Sequence, residues 1–581
     1  MRIVGGWVCG PVALYVALSL AACGGSDDAD DGPVATAGSK LPPLGVNKQI
    51  TEADCTSARL GTSIPTTSIG EPVSSVSVAI PIWVAAAGAL PAYCSVTGAM
   101  SPVDPTAPLI NFRVVLPTSW AYRAGQQGGG GMNGSIPNLT NASLDGGTPY
   151  VARGWAVSAS DSGHVNTDGG AWSLNEEAVK NFGYMQMKKT HDAAWVLIER
   201  MYGEKPRFSY WTGTSQGGRE GLTVAQRYPA DYDGVVVNVP VVNFSSLTLG
   251  PTLIRIQERP LAAWVTQAKR TSIATEVMRQ CDQLDGLNDG IINNYMGCRA
   301  VFDITRGTAG RTPWANIRCP GNVDPDPANT TASACLTDGQ IATMQFVHTR
   351  YRFSTRLAND NPSFGMWLPG TDPGSESLIV PARVQGQEGA SASSPIFTST
   401  GMVAVTGSLF KNLGANPLDY VEGGSLNARR VELSGYSDAT NPDLGPFYKR
   451  GGKLIVMMGT NDNRASSASI LDYYESVLDE LGRTRTDSFA RLWVVPGTGH
   501  GLNGTQFAVD GSGQATTGEA IPSTIDRIKL LTDWVESNTA PPLNAQVTGV
   551  TRSLPLCSYP TFPKYQSGPT SSASSYACAS P

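Results

Sequence analysis

The stretch FSYWTGTSQGGREGLTVAQRYPADYDGVVV, residues 208 to 237, wedges Ser215 among glycines, and its reading decides the fold. Gly213-Thr214-Ser215-Gln216-Gly217 fits G-x-S-x-G, but a chain with 64 glycines in 581 residues produces such a match by chance about once or less. The surroundings decide. Phe208 to Trp211 reads as a short buried strand, and from Gly218 to about Tyr228 the spacing is helical, with Leu222 and Ala225 on one face. Strand, sharp turn and helix are the setting that holds a serine hydroxyl exposed on a strained turn. The small glycines allow strand and helix to approach more closely than side chains permit. The alternative is a glycine-rich loop without chemistry.

Outward from this stretch, apolar strand-like runs recur at NFRVVLP (111–117), GWAVSAS (154–160) and DGVVVNVP (233–240), with a helical stretch from about Glu176 to Met201. Strands alternating with helices predict a parallel α/β sheet. Between about 246 and 445 the rhythm gives way to Gly, Pro, Asn and Asp, and it returns with GGKLIVMMG (451–459), SSASILDYYESVLDELG (466–482) and FARLWVVPG (489–497). The economical reading is one α/β domain, residues 46–245 and 446–581, split by a lid at 246–445 over the sheet's C-terminal edge.

A composition of 41% hydrophobic and 15% charged residues describes a globular chain, and a net charge of −6 offers no basic surface, so no nucleic-acid partner is expected. Arg2, the apolar run VALYVALSLAAC (12–23) and a lipobox-like Leu20-Ala21-Ala22-Cys23 read as a signal peptide over residues 1–22. Cys23 then carries the lipid of a bacterial outer-membrane lipoprotein, its only membrane contact, with residues 23–45 as an acidic, flexible tether. The alternative is an ordinary cleaved signal and a periplasmic or secreted product; both export the chain. Cys9 and Cys23 aside, eight cysteines remain, an even number that suits disulfides in an oxidising compartment. Eight allow 105 pairings. Close spacing favours 55 with 94, 281 with 298, 319 with 335, and 557 with 578.

A serine hydroxyl needs a base within reach and a third group to orient that base. Of four histidines, His191 sits mid-helix, His348 lies in the insertion and His164 precedes the serine. His500 alone follows a late strand, where the order of α/β-hydrolases puts the base. Asp462, after the strand KLIVMMG, is the candidate acid; Asp472 and Asp479 are weaker because they fall in the next helix. Gly128 to Gly131 end another strand, so the Gly130 amide and the Gln216 amide are the candidate oxyanion donors. The loop CDQLDGLNDGIINNYMGC (281–298) gathers Asp282, Asp285 and Asp289, hard oxygen ligands on a turning backbone that suit Ca²⁺, though the spacing is not that of an EF-hand.

Taken in order, RGWAVSASDSGH, YWTGTSQGGREGLTVAQRYPADYDGVVV, CDQLDGLNDGII and VPGTGHG resemble the tannase and feruloyl esterase family, which also includes bacterial mono-hydroxyethyl terephthalate hydrolase. The similarity covers most of the chain after about residue 50. It implies an α/β-hydrolase fold with a large inserted lid, a serine carboxylesterase with Ser215, Asp462 and His500 as its triad, and a small-molecule aromatic ester as substrate. It also implies a structural Ca²⁺ held by the three aspartates and the carbonyls of Leu287 and Ile291, and the sequential cysteine pairs. Trp264, Trp314, Phe364 and Trp367 are candidates to grip the acyl group, although residues of this kind are more often plain core than pocket wall. One departure stands out: the family's cysteines before the serine and after the histidine are here Thr214 and Gly501. Rival readings are a non-catalytic surface lipoprotein on the same fold and a peptidase using the same triad. Oligomeric state is not readable.

Overall fold

The computed structural model of this chain describes residues 46–141, 147–307, 310–371 and 403–581. The expected signal peptide, lipobox cysteine and tether lie outside the described residues. The central sheet has ten strands: β1 (Ser75–Val78), β2 (Ile82–Val84), β3 (Tyr93–Ser101), β4 (Ile110–Pro117), β5 (Arg123–Gln127), β6 (Trp155–Ser160), β7 (Phe208–Thr214), β8 (Gly234–Asn238), β9 (Lys453–Gly459) and β10 (Ala490–Val495). Their order is β10-β9-β8-β7-β5-β6-β4-β3-β1, with β2 also on β3. From β6 to β10 every neighbouring pair is parallel, whereas β1 to β4 join antiparallel. This is the α/β-hydrolase arrangement.

The sequence explains the split. Gly234–Asn238 and Ala490–Val495 are buried throughout. Their near-continuous apolar runs suit parallel strands covered on both faces. Each such valine removed from water contributes about 1.5–3 kcal/mol. Helix α1 (Gln186–Tyr202) packs on β4 and β6, α2 (Gln216–Arg227) on β7 and β8, and α5 (Arg527–Ser537) on β8 and β9; α3 (Phe244–Gln257) and α4 (Ser467–Leu481) follow β8 and β9. The helical stretch expected from Glu176 is real but interrupted: a π-helical turn at Asn181–Met185 joins Glu176–Lys180 to α1.

Strand order positions the site. The chain runs from β5 to β6 on one side and from β7 to β8 on the other, although β5 and β7 are neighbours. Adjacent strands whose connections diverge open a crevice at their carboxyl ends. Register brings those ends together: Gln127 pairs with Thr212, Thr214 with Asn238, and Gly459 with Val495.

After Asn238 the chain leaves the sheet and rejoins it at Lys453; among the described residues no strand between them enters it. That region builds its own core from residues such as Ile254, Val277, Phe302, Trp314 and Trp367. All four sequential disulfides are present, Cys55–Cys94, Cys281–Cys298, Cys319–Cys335 and Cys557–Cys578. No helix among the described residues is long and apolar enough to cross a membrane.

Two glycines set how closely α2 meets the sheet. A Cβ on Gly213 would stand 2.1 Å from the Gly217 carbonyl oxygen, and one on Gly217 would stand 2.8 Å from the Gly129 carbonyl oxygen. Gly213→Ala is therefore expected to lower unfolding free energy by about 3 kcal/mol in urea titration, because backbone has to move. An unchanged midpoint would contradict this packing.

Candidate active site

Ser215 stands between β7 and α2 at φ 62° and ψ −119°. A side-chain-bearing residue rarely adopts this backbone, and it persists only where its surroundings impose it. The imposing contacts are specific: Ser215 N–H donates to the Asn238 carbonyl at 2.9 Å, and the Ser215 carbonyl accepts from Arg219 N–H at 3.0 Å and Val241 N–H at 3.2 Å. Gln216 is the first residue of α2, and no side chain caps that helix. Its N–H has no intrahelical acceptor, so it is available to a ligand.

The loop after β5 lies alongside. Gly128 N–H donates to the Thr212 carbonyl at 2.9 Å, continuing the pairing with β7, and Gly129 N–H donates to Glu220 Oε2 at 3.1 Å. At Gly130 a Cβ would meet nothing within 4 Å, so this residue borders open space.

His500 and Asp462 are brought together from the loops after β10 and β9. Nδ1 of His500 lies 2.8 Å from Asp462 Oδ2 and 3.0 Å from Oδ1. Asp462 is fully buried, and its Oδ1 also accepts the N–H groups of Arg464 and Ala465 at 2.8 Å each. A carboxylate so held orients the ring and fixes Nδ1 as the protonated nitrogen. The two loops are tied by Asn461 N–H to the Thr498 carbonyl at 2.9 Å and Gly497 N–H to Thr460 Oγ1 at 2.8 Å. Thr214 and Gly501 line one polar hollow with His500, Asn238 and Arg527. The serine turn and the histidine loop thus share one opening.

The other candidates separate cleanly. Asp472 is engaged by Arg299, Arg306 and Arg350 at 2.7 to 2.9 Å, an ionic cluster remote in character from a catalytic acid, and Asp479 is exposed. His191 is buried beside Asp192, His348 sits against the Trp367 carbonyl at 3.0 Å, and His164 stacks on Trp172 at 4.0 Å. Trp264, Trp314, Phe364 and Trp367 are corrected from acyl-gripping candidates to core: each is at most 4% exposed, and Phe364 and Trp367 meet edge to face inside the inserted region. A rigid interior absorbs such rings more readily than a cleft does. The apolar hollow lies elsewhere and is small, lined by Met132, Trp172, Phe182, Phe244, Leu409 and Leu433. Met132 follows Gly130 by two residues, so this cavity adjoins the glycine loop.

In the acidic loop, Asp282 accepts from Gly290 and Gly511 N–H, Asp285 from Leu287 and Asn293 N–H, and Asp289 Oδ1 from Ile291 N–H. Asp289 Oδ2 is buried without a hydrogen-bond partner, with Arg552 3.8 Å away. Burial pushes Asp285 up to about 8 and Asp289 up to about 6, and raises Asp282 as well. Burial makes these charges costly and leaves one oxygen unspent, the observation behind the Ca²⁺ reading proposed below, although the three carboxylates do not converge on one point in this structure. The Ile291 carbonyl accepts Asn293 N–H at 3.0 Å, which leaves it a second lone pair.

Two buried residues on α2 escaped the sequence reading. Arg219 donates to the carbonyls of Gly183 (2.7 Å), Phe182 (3.0 Å) and Ser437 (3.1 Å), using carbonyls offered by the π-helical turn, and burial lowers it to about 10. Glu220 faces the opposite way, onto the glycine loop. The available signal was a charged pair, R-E, directly after T-S-Q-G-G on a helix that has to bury most of its surface.

Similarity to known proteins runs along most of the chain. The model of the family described as tannase and feruloyl esterase matches residues 94–579. An uncharacterized esterase of Agrobacterium fabrum is 34% identical over 510 residues, covering 84% of this chain and 85% of that protein. The mono(2-hydroxyethyl) terephthalate hydrolase of Piscinibacter sakaiensis is 29% identical over 549 residues, 86% of each chain. Among solved structures, feruloyl esterase B from Aspergillus oryzae superposes with a TM-score of 0.68 at 23% identity, covering 91% of this chain and 99% of that one.

Burial of the histidines outside the pair gives a pH test. His348 and His164 are each held down to about 4 by burial against an ordinary 6.5. Between those values the unfolded chain binds the proton and the folded one does not, so their contribution is complete above 6.5 and is lost as pH falls toward 4. His348→Gln should flatten the decline of unfolding free energy across that interval by up to about 3 kcal/mol. An identical slope in variant and parent would contradict the burial of a neutral imidazole.

Proposed function

Because the chain belongs to the tannase and feruloyl esterase family, and is thereby a carboxylic ester hydrolase acting on small molecules, we propose that it cleaves esters of aromatic acids through an acyl-enzyme on Ser215. The observation that carries this reading is the hydrogen-bonded Asp462–His500 pair, whose histidine lines one hollow with Thr214, the residue before a serine at φ 62° on an uncapped helix. His500 Nε2 takes the Ser215 proton as Oγ attacks the ester carbonyl, and Asp462 stabilises the imidazolium. Among the described residues the His500 ring is hydrogen-bonded only to Asp462, and no hydrogen bond joins it to Ser215, so the approach of Nε2 to Oγ belongs to the substrate-bound enzyme, where catalytic hydrogen bonds tighten. The tetrahedral oxyanion accepts from the amides of Gly130 and Gln216, removal of one such donor typically costing about 10²–10³ in kcat. The alcohol leaves with the proton from His500, and water activated by the same imidazole releases the acid.

The apolar cavity beside Met132 and Phe244 suits the ring of the acid. Relatives named feruloyl esterase, tannin acyl hydrolase and mono(2-hydroxyethyl) terephthalate hydrolase share aromatic acids as their acyl theme, which supports the same class here. Ca²⁺ at Asp282, Asp285 and Asp289, with the carbonyls of Leu287 and Ile291, would neutralise the loop and lock it against the segment at Gly511 and Arg552. That role is structural. Four disulfides support export, and a lipid on Cys23 would hold the enzyme at a membrane surface.

Ser215→Ala should reduce hydrolysis of feruloyl, galloyl and terephthaloyl esters by at least about 10⁴-fold while leaving thermal unfolding nearly unchanged. Turnover within tenfold of the parent would remove Ser215 as nucleophile. Ca²⁺ at a hundredfold excess over its Kd should add about 3 kcal/mol of stability, and Asp289→Asn should abolish that response. A thermal midpoint indifferent to both Ca²⁺ and chelator would rule the ion out.

A further inference from the structure

Glu220, 1% exposed, puts its carboxylate directly beneath the glycine loop. Oε2 accepts Gly129 N–H at 3.1 Å; Oε1 accepts from Asn133 Nδ2 at 2.6 Å and from Gln186 Nε2 at 3.2 Å. A Cβ on Gly128 would stand 2.8 Å from the same Oε2, so loop backbone lies against the charge. Asn133, itself left-handed at φ 54°, donates its backbone N–H to the Gly130 carbonyl at 2.8 Å. Its amide also reaches Ser162 Oγ, in the S-D-S-G-H run after β6, where the residue sits at φ 70°. Gly134 N–H to the Asp161 carbonyl at 2.9 Å closes the two loops on each other.

We propose that Glu220 is a positioning residue for ester hydrolysis: acting through Gly129 N–H and the Asn133 amide, its carboxylate fixes the backbone of residues 128–133 and so aims the Gly130 N–H at the developing oxyanion. This rests on Ser215 being the nucleophile. The chemistry asks for a carboxyl because three donors converge on its two oxygens, each of which offers two lone pairs. An apolar side chain of the same size would leave Gly129 N–H buried without an acceptor and free the loop to shift. Transition-state stabilisation is steep in such shifts, since an oxyanion hole works only when its donors stand about 3 Å from where charge appears.

Steady-state kinetics on an aryl ester, with the affinity of an aryl boronic acid as a tetrahedral mimic, test this. Glu220→Met fills the space without an acceptor; kcat should fall about 100-fold with KM within about threefold, and boronate affinity should fall in step with kcat/KM. Glu220→Gln keeps an oxygen for Gly129, and Asn133, whose Oδ1 is buried and unpartnered, can turn its amide to meet the new N–H. That variant should recover kcat to within about fivefold of the parent. A folded Glu220→Met enzyme with kcat within about threefold, or with undiminished boronate affinity, would overturn the proposal. Should it not fold, Asn133→Ala carries the test, with kcat and boronate affinity both expected about tenfold lower and parental values overturning it. An inert parent enzyme would instead fell the nucleophile reading, and this inference with it, a result distinct from a weakened variant.

Discussion

At Ser215 the backbone is held where a Cβ is unwelcome, φ 62° and ψ −119°, and the rest of the site depends on that constraint. Strain of this kind costs about 1–3 kcal/mol and survives only when the surroundings over-determine it. Here they do. Strand β7 is buried between β5 and β8, the Ser215 amide is committed to the Asn238 carbonyl, and Gly213 and Gly217 let α2 start in contact with the loop that carries Gly130. A turn released to ordinary angles would carry the hydroxyl away from the rim that His500 borders.

Helix α2 is also an electrostatic hub. Arg219 and Glu220 are consecutive buried charges facing opposite ways, the first onto the carbonyls of Phe182, Gly183 and Ser437, the second onto Gly129 and Asn133. Each charge lowers the cost of burying its neighbour, and both are met by several hydrogen bonds. Ser437 belongs to the inserted region, so the helix that presents the serine also fixes a wall of the apolar cavity. Phe182 and Phe244 flank the Arg219 guanidinium at 5.3 and 5.6 Å, which joins the ionic anchor to the apolar lining. One helix thus holds both the strained turn at Ser215 and a wall of the apolar hollow.

Much of this was legible in the residues. Continuous runs such as VVV at 235–237 and LIVMM at 454–458 announce buried parallel strands, and a serine between glycines after one of them announces the turn. Strand-following loops made Asp462 and His500 readable as partners, and their contact at 2.8 Å matches that reading. Disulfide pairing followed from spacing. The aromatic residues misled because Trp and Phe look alike in a core and in a cleft; only packing shows that Trp314 and Trp367 are interior while Trp172 and Phe244 line space. Glu220 was invisible for a different reason: a glutamate on a helix is ordinarily solvated, and its burial depends on Asn133 and Gln186, which lie 87 and 34 residues away. The π-helical turn at Asn181–Met185 likewise answers a tertiary demand, the guanidinium of Arg219.

The most direct measurement compares the unfolding free energies of Ser215→Gly and Ser215→Ala. Both lose the hydroxyl, so their difference isolates the Cβ at the strained position, net of the greater chain entropy that glycine gives the unfolded state. If the backbone there is held against its preference, the glycine protein is more stable by about 1 kcal/mol. A glycine protein equal to or weaker than the alanine one would mean that the turn carries no strain, and that the elbow is not the constraint on which this site is built.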